Sequence, residues 1–387
     1  MADVIGGALA DDFDLSRSMI RARDTRGKGL LAQVREIARL AFSRRRLSAY
    51  EYYRYGLFDD ARYDPEAKSR FLGEACHVPL IRATCDLRWW AVADDKVVTY
   101  TMLKAFGAPI PTTVALVHPY RIFPDAKTLK DADALATFLR TEAVYPLFSK
   151  PVSGVRSLSV SLLAGYDADT DAVAMHDGSA RRVDDFAREL ASTEGQTRGD
   201  GVLLQEVMQH HRELERLAGP AISSVRVLVT VEAEGPRVIG AMWKIIGGEQ
   251  IADNAWRPGN LLASLDHRTG AVTRVVKADG TDVEEVSHHP TTSEKLLGVT
   301  LPHWDDVTAL CTRYAALSPK VRFQGWDVAI CDDGPRLVEA NTGSSFMLTQ
   351  LASGRGIADE DFERFVAWAA SINETPPRGV QAYLQRV

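Results

Sequence analysis

The segment FQGWDVAICDDGPRLVEAN, residues 323–341, decides the fold. Two apolar runs flank Asp332-Asp333-Gly334, and this combination is typical of a β-hairpin. A two-residue Asp333-Gly334 loop would place Asp327 opposite Ala340. A three-residue loop with Gly334 in the left-handed conformation instead places Asp327 opposite Glu339.

The three-residue loop gives the hairpin one acidic and one apolar face, so we predict that loop. Asn341 then lies two residues beyond Glu339 on the acidic face. The opposite face carries a coherent apolar set, namely Trp326, Val328, Ile330, Val338 and Ala340.

The acidic face predicts a metal site. Two carboxylates directly opposite in a sheet repel each other, and a divalent cation between them reverses that effect. Asp327, Glu339 and Asn341 offer the hard oxygen atoms that Mg²⁺ takes as ligands. Gly325 and Ala329 are small and would leave room for a ligand on this face. The alternative is a solvent-facing acidic hairpin.

Gly325-Trp326-Asp327 followed by Glu339-Ala340-Asn341 resembles the D…E-x-N metal signature of the ATP-grasp superfamily. The resemblance implies an α+β fold in which two lobes grip ATP. It also implies that Asp327, Glu339 and Asn341 hold two Mg²⁺ ions, or Mn²⁺ in their place, against the ATP phosphates.

Three further segments resemble the same superfamily in the expected order. Asp95-Lys96 resembles the entry of the helix with the first phosphate-contacting lysine, and Phe148-Ser-Lys150-Pro151 the strand with the second. Leu203-Leu-Gln-Glu-Val-Met208 resembles the adenine hinge, which implies nucleotide contacts from Gln205, Glu206, Val207 and Met208. Glu213 falls where the ribose-binding acid would lie.

The loop after Lys150 differs from the superfamily pattern. Residues 152–157, VSGVRS, contain one glycine where such loops usually contain several. Either Ser153 and Arg156 take over phosphate contact or the loop is stiffer than usual.

A narrower resemblance, from about Tyr50 to about Thr342, is to the sugar-transfer-associated ATP-grasp group. It rests on short motifs: SSVRVLVT (223–230), MWK (242–244), Asp253-Asn254, DHRTG (266–270), His289-Pro290 and LPHW (301–304). It implies that Arg226 and Lys244 neutralise developing charge, although the group more usually has arginine at the second position. Asn254 would contact phosphate or acceptor.

Around these motifs, strand-like and helix-like segments alternate. Strands are predicted at Thr113–Val117, Ala143–Lys150, Leu158–Leu163, Gly201–Val207, Ser224–Glu232, Arg237–Ile246, Val272–Val276, Phe323–Cys331 and Arg336–Asn341. Helices are predicted at residues 30–42, from Asp95 to about Phe106, and at Lys130–Thr141, Val183–Thr193, Trp304–Ser318 and Asp359–Ile372. This pattern predicts an α+β protein with large antiparallel sheets.

The composition is that of a globular protein. The chain has 387 residues, 45% hydrophobic and 25% charged, with four cysteines that show no C-x-x-C spacing. It has no apolar run long enough for a membrane span, and its first residues do not resemble a secretory signal. We therefore expect a cytoplasmic protein of two or three domains. P-loop, dinucleotide-binding, zinc-protease and serine-hydrolase motifs are missing.

The net charge of −6 is unevenly distributed. Residues 17–46 contain ten basic and two acidic residues, a balance of 10 − 2 = +8, so the remainder carries −6 − 8 = −14. An acidic body argues against nucleic-acid binding. The basic stretch is either a solvated helix face or a contact for anionic lipid or an acidic partner protein.

We predict four segments: a helical region (1–90), a first and small ATP-grasp lobe (91–205), a large lobe with the metal hairpin (206–375) and a tail (376–387). The resemblance implies a ligase in which ATP phosphorylates a small carboxylate and an amine attacks the acyl phosphate. Glycan or secondary-metabolite biosynthesis is the expected setting. The alternatives are a kinase acting on a sugar or polyol hydroxyl and a non-catalytic nucleotide-binding module.

Overall fold

A computed structural model describes residues 13–153, 160–192, 199–248, 259–279 and 282–373. The first part of the chain is helical. Its α-helices are α1 (Leu15–Arg26), α2 (Leu30–Phe42), α3 (Ala49–Arg54), α4 (Pro65–Ser69), α5 (His77–Thr84) and α6 (Ala91–Asp94). Short 3₁₀ turns lie at Glu74–Cys76 and Leu87–Trp89. No helix among the described residues is long and apolar enough to cross a membrane.

The next part of the chain builds the first sheet. Its elements are α7 (Lys96–Ala105), β1 (Thr113–Val117), β2 (Lys127–Leu129), α8 (Ala132–Thr141), β3 (Leu147–Pro151), β4 (Ser161–Asp167), β5 (Ala172–Met175), β6 (Ala180–Arg182), α9 (Val183–Ala191) and β7 (Val202–Glu206). The strand order is β2-β1-β7-β3-β4-β5-β6. Strands β1 and β2 are parallel and the other neighbours are antiparallel. Helices α8 and α9 bury their apolar faces on this sheet.

The second sheet is antiparallel and contains the predicted hairpin. Its elements are α10 (Arg212–Ala218), β8 (Val225–Glu232), β9 (Gly235–Ile245), β10 (Leu261–Leu265), β11 (Val272–Asp279), β12 (Asp282–Glu285), α11 (Trp304–Ala315), β13 (Phe323–Cys331), β14 (Gly334–Thr342), α12 (Phe346–Ser353) and α13 (Glu360–Ser371). The strand order is β12-β11-β10-β9-β8-β13-β14.

The two faces of the second sheet pack against different parts of the chain. One face, which includes Val227, Trp243 and Trp326, joins α7, α10 and α11 in the largest apolar core. On the opposite face, Met242 and Leu262 pack with the tyrosines of the N-terminal helices and with α12. The N-terminal helical region is therefore part of the core of the large lobe.

Long-range hydrogen bonds hold the N-terminal region in place. The Gln350 amide on α12 accepts from the Leu72 N–H at 2.8 Å and donates to the Leu72 carbonyl at 2.9 Å. It also donates to the Tyr55 hydroxyl at 3.0 Å. Because Gln350 is fully buried, these bonds satisfy a side chain that would otherwise destabilise the core.

The hairpin has the predicted pairing but a different loop. Cys331 lies opposite Gly334, so the loop consists of two residues, Asp332 and Asp333, and the prediction of three was wrong. A β-bulge then shifts the register, because Val328 pairs with Leu337 while Asp327 pairs with Glu339. The extra residue restores the Asp327–Glu339 pair.

The bulge also changes the apolar face. Leu337 is fully buried in the main core, whereas Val338 is only half-buried and does not belong to it. Burying the larger side chain in place of Val338 favours this arrangement.

Most other predicted elements are present. Strands β1 and β13 and helix α2 have the predicted bounds. The short strands β2, β5, β6 and β12, together with β10, were not predicted, nor were α10 and α12, and α1 was predicted only as part of the helical region 1–90. Strands of three or four residues carry too little alternation to be recognised, and the run LLASL of β10 does not distinguish strand from helix.

Candidate functional site

Asp327 is the centre of a buried ion network on the second sheet. It lies directly opposite Arg226 of the neighbouring strand β8. The Arg226 guanidinium donates to both carboxylate oxygens, with Nη2 to Oδ2 at 2.7 Å, and Lys244 Nζ donates to Oδ2 at 3.0 Å. Burial alone would raise the pKa of Asp327, but Arg226 and Lys244 outweigh it and hold the pKa below its usual value.

Glu339 has a separate cation, Lys96. Lys96 is the first residue of α7, and its Nζ lies 3.0 Å from Glu339 Oε1 and 3.4 Å from the Val152 carbonyl. Asp95 caps this helix by accepting from Val97 N, and Arg121 binds the same carboxylate through both oxygens at 2.7 and 2.8 Å. The cap therefore fixes the point from which Lys96 extends.

Lys150 completes the set from strand β3. Its Nζ donates to the Tyr100 hydroxyl at 2.7 Å, and Tyr100 in turn donates to the carbonyl of the bulge residue Val338. Burial, and secondly the charge of Lys96, lowers the pKa of Lys150 to about 7. We call Lys96, Lys150, Arg226, Lys244, Asp327 and Glu339 the charged cluster.

The charged cluster has more basic than acidic groups. Four basic side chains surround two carboxylates, so the formal charge is 4 − 2 = +2 when Lys150 is protonated and 3 − 2 = +1 when it is neutral. A buried excess of positive charge is costly and favours binding of an anion. Both sheets contribute residues to the charged cluster. Lys150 lies on the first sheet and Arg226 on the second.

The oxygen donors of the hairpin fit a magnesium ion by their chemistry. Asp327 and Glu339 are cross-strand partners, and Asn341 lies two residues further along, where its amide donates to the Gly325 carbonyl at 3.2 Å. Carboxylate and amide oxygens are the ligands Mg²⁺ takes. Within the described ranges, no group of three or more His, Cys, Asp or Glu side chains could hold a metal ion. The third oxygen donor of the predicted set is the Asn341 amide.

The small residues of the acidic face do not leave empty space, contrary to expectation. A Cβ on Gly325 would lie 2.9 Å from the Gly343 carbonyl oxygen, 3.1 Å from Arg226 Cδ and 3.4 Å from Ser344 Cβ. Ala329 is fully buried. Gly325 is required because the loop after Asn341 and the Arg226 side chain pack directly against its backbone.

The residues of the predicted adenine hinge, 205–208, differ in how deeply they are buried. Gln205 is buried, donates to Thr113 Oγ1 at 2.9 Å and also hydrogen-bonds Tyr100, so it supports the residue that contacts Lys150. Glu206 is exposed at the strand end, and Val207 and Met208 are half-buried. Adenine binding by this segment stays a prediction.

Glu213 lies on the exposed side of α10, where its carboxylate pairs with Arg216 at 3.0 Å. Its ribose-binding role also stays a prediction. Ser153 is half-buried just after β3. Arg156 and Asn254 lie outside the described residues.

Three polar residues on or beside the hairpin were not predicted from the sequence. Tyr100 follows Lys96 by four residues on α7 and so shares its helix face, a signal that could have identified it. Thr342 Oγ1 and Ser344 Oγ are buried and have no hydrogen-bond partner in the part of the chain that the structure describes. Ser344 lies on the side of the charged cluster, because it packs near Gly325 together with Arg226, whereas Thr342 pairs with Gln324 on the opposite face of the sheet. A buried hydroxyl without a partner at this position is a candidate contact for a bound ligand or water.

The loop that follows β14, residues 343–345, packs against the N-terminal region. A Cβ on Gly343 would lie 1.8 Å from Ile81 Cδ1 of α5, and Gly343 has a φ of +74° that favours glycine. Glu74 accepts from Met347 N at 2.8 Å and from Ser345 Oγ at 3.1 Å. The N-terminal helical region therefore forms one wall beside the site, a role the sequence did not reveal.

The fold and site define a class of α+β proteins in which lysines from one sheet meet a carboxylate hairpin from another. A family model described as "Sugar-transfer associated ATP-grasp" matches residues 79–364. The chain belongs to this family, and it has the ATP-grasp fold with a helical N-terminal region. ATP-grasp enzymes in general are ATP-dependent ligases that use divalent metal ions.

Several solved structures match the chain at low sequence identity and low TM-score. VanG D-Ala:D-Ser ligase from Enterococcus faecalis is 14% identical, with a TM-score of 0.41 over 74% of this chain and 64% of that chain. Biotin carboxylase from Campylobacter jejuni is 10% identical, with a TM-score of 0.44 over 82% and 55%. D-alanine–D-alanine ligase from Bacillus anthracis is 12% identical, with a TM-score of 0.39 over 74% and 71%.

The family assignment rests on the family model alone. The chain spans less than two thirds of the length of the VanG and biotin carboxylase chains. A comparison with curated proteins found no match.

Proposed function

We propose that the protein is an ATP- and Mg²⁺-dependent carboxylate–amine ligase that works through an acyl phosphate. The observation that supports this most is the charged cluster, in which four basic side chains surround two oxygen-donor carboxylates. Such a set suits an anionic phosphate chain bound together with a divalent cation.

In this proposal the phosphates change the partners of the charged side chains. Lys96 and Lys150 turn from Glu339 and Tyr100 to phosphate oxygens as point charges. Arg226 and Lys244 release Asp327 and face the transferring phosphoryl group. Asp327, Glu339 and Asn341 are then free to hold Mg²⁺, which neutralises charge on the phosphates when bound.

The reaction needs no protein nucleophile. An oxygen of the substrate carboxylate attacks the γ-phosphorus of ATP, the bond to the bridging oxygen breaks, and ADP leaves with the electron pair. The amine then attacks the acyl carbon, phosphate leaves, and the nitrogen loses a proton. We assign the unpaired hydroxyl of Ser344 to the carboxylate or amine substrate, since it is buried and Ser344 packs beside Gly325, as Arg226 does.

We keep the predicted boundaries of the four segments in this proposal. Lys96 and Lys150 come from residues 91–205, while Arg226, Lys244 and the metal hairpin come from residues 206–375. The wall at Gly343 comes from the described residues of the predicted helical region, through Ile81, and residues 376–387 lie outside the described part. The four cysteines are free and buried, which suits the cytoplasmic location we propose, with a role in glycan or secondary-metabolite biosynthesis.

The test is ATP turnover with pooled carboxylic acids and amines, followed by ADP, free phosphate and product mass. We expect Asp327→Asn and Glu339→Gln each to lower turnover about 10²-fold or more. Asp333→Asn is the matched control, because this exposed acid lies in the turn of the same hairpin and pairs only with nearby Arg336 in the described structure.

An active Asp327→Asn/Glu339→Gln double variant would overturn the metal assignment. ADP release with phosphate retained on a sugar or polyol would make the enzyme a kinase. Binding of nucleotide without turnover of any pool would support a non-catalytic module.

A further inference from the structure

The basic stretch, residues 17–46, contains side chains that form ion pairs within the molecule and side chains that are exposed to solvent. Several of its charges are paired within the molecule: Arg21 with Asp282, Arg26 with Asp59, Lys28 with Asp60 and Glu36, and Arg44 and Arg45 with Glu363. Arg35, Arg39 and Arg46 are exposed. Exposed arginines thus lie on α2 and the turn that follows it, and also on α1, where Arg17, Arg23 and Arg26 are exposed.

Helix α2 has a well-anchored inner face. Gln33 is fully buried, where it accepts from the Tyr53 hydroxyl at 2.7 Å and donates to the Lys28 carbonyl at 2.7 Å. Glu36 pairs with the buried Lys68 at 3.0 Å. These contacts fix which side of α2 faces away from the protein.

The outer face of α2 carries large apolar side chains in solvent. Leu31 is 87% exposed, Val34 53% and Phe42 89%. With Ala38 they recur at spacings of three and four residues, which places them along one side of the helix. We call Leu31, Val34, Ala38 and Phe42 the exposed ridge.

Arginines accompany the exposed ridge and acids do not. Arg35 and Arg39 lie on the same side of the helix, and Arg46 follows Phe42 by four residues. The one acid of α2, Glu36, contacts Lys68 and Tyr52 on the inner face and also pairs with Arg39 at 3.6 Å. Arg35 and Arg46 are then the exposed arginines of α2 and the turn after it that have no ion pair in the described part of the chain. An apolar strip with arginines beside it is the composition of a helix that lies in the plane of a membrane surface.

We propose that the exposed ridge docks the protein on an anionic lipid surface, with Leu31 and Phe42 entering the headgroup region. The exposed apolar side chains of the ridge can insert between lipid headgroups, because a fluid lipid surface rearranges around them. A symmetric second copy is disfavoured, because a two-fold axis at this face would bring the arginines of both copies together. The proposal is independent of the catalytic activity.

Vesicle flotation of the full chain tests the proposal. The probes are phosphatidylcholine vesicles and vesicles with roughly one-third phosphatidylglycerol, at about 0.1 M and about 1 M salt. We expect binding only to the anionic vesicles, and its loss at high salt. Arg35→Gln/Arg39→Gln should lower the partition coefficient about tenfold or more, and Leu31→Ser/Phe42→Ser by at least as much.

Matched controls distinguish a specific role of the outer face of α2 from a general effect of removing exposed apolar or charged side chains. Ile122→Ser/Val144→Ser removes apolar side chains that are 77% and 81% exposed elsewhere, and Arg188→Gln/Arg364→Gln removes two exposed arginines. Both controls should bind like the unmodified protein. Equal loss in controls and α2 variants, or no binding of the unmodified protein to anionic vesicles, would overturn the proposal.

A second measurement reports the depth of insertion. Because the four native cysteines are buried, a polarity-sensitive dye should label Phe42→Cys selectively. Its emission should shift to the blue on anionic vesicles, while dye at Val144→Cys should not respond. Self-association that disappears in Leu31→Ser/Phe42→Ser, with no dye response to lipid, would identify a second copy as the occupant and overturn the lipid assignment.

Discussion

Asp327 and Arg226 lie directly opposite each other on adjacent strands, and the guanidinium donates to both oxygens of the carboxylate. Both side chains are largely buried, with 6% and 12% of their surfaces exposed. The carboxylate proposed to hold a metal is thus neutralised by the protein itself when no ligand is bound. Binding of Mg²⁺ and ATP would have to exchange these partners, and this requirement gives the site testable properties.

Removing Arg226 should destabilise the fold. Arg226→Gln leaves the buried Asp327 with Lys244 as its remaining cation, and breaking a buried pair from one side costs about 3 kcal/mol. The free energy of unfolding in urea measures this cost. The control is Arg237→Gln on the neighbouring strand, whose pair with Glu232 is half exposed, and it should change the free energy by less than about 1 kcal/mol.

Adding Asp327→Asn to Arg226→Gln should recover part of the lost stability, because the buried charge is then gone. A single Arg226→Gln variant as stable as the unmodified protein would show that the pair is not important for folding.

Nucleotide binding should take up a proton above neutral pH. Since the pKa of Lys150 is lowered to about 7, this lysine is largely neutral at pH 8 to 9, and contact with phosphate would favour its charged form. ATP affinity should therefore fall as the pH rises above about 7. Calorimetry in buffers of different ionisation enthalpy should detect uptake of close to one proton.

Lys150→Arg is the informative variant for this prediction, because arginine stays charged. It should bind ATP with much less dependence on pH between 7 and 9. Identical pH profiles for Lys150→Arg and the unmodified protein would assign the proton to another group.

The same lysine should affect stability in a defined pH window. Its pKa is about 7 in the folded protein and 10.5 for an ordinary lysine, so the unfolded chain binds more protons between these values. The penalty for burying the charge is fully present below pH 7 and is relieved as the pH rises toward 10.5. The free energy of unfolding should rise with pH in this window relative to Lys150→Met, and parallel curves for the two proteins would contradict the shift.

Metal binding should depend on nucleotide. The charged cluster is net positive and both carboxylates already have cations, so Mn²⁺ alone should bind weakly. A non-hydrolysable ATP analogue supplies negative charge and should increase Mn²⁺ affinity about tenfold or more. Electron paramagnetic resonance of free Mn²⁺ measures this, with Glu339→Gln as the variant that should lose the increase. Tight Mn²⁺ binding without nucleotide would show that the resting ion pairs do not compete.

The hairpin shows which structural features the local sequence pattern predicts and which it does not. The alternation in residues 323–331 sets which side chains share a face, and the predicted pairing of Asp327 with Glu339 is confirmed. The predicted loop was wrong, because a bulge at Val338 compensates for a shorter turn. Bulges depend on which side chain the core accepts, here the buried Leu337, and that depends on residues distant in sequence.

The sequence by itself determined the α+β class, the strands of the hairpin, the amphipathic α2 and the identity of the charged residues, because each depends on neighbours within a few positions. Tertiary structure alone decided that Arg226, Lys244 and Lys96 neutralise the carboxylates, that Tyr100 contacts Lys150, and that α5 supports Gly343. It also decided which arginines of the +8 stretch are paired and which face outward. These contacts join residues tens to hundreds of positions apart, and their partners are selected by packing and charge in three dimensions rather than by local periodicity.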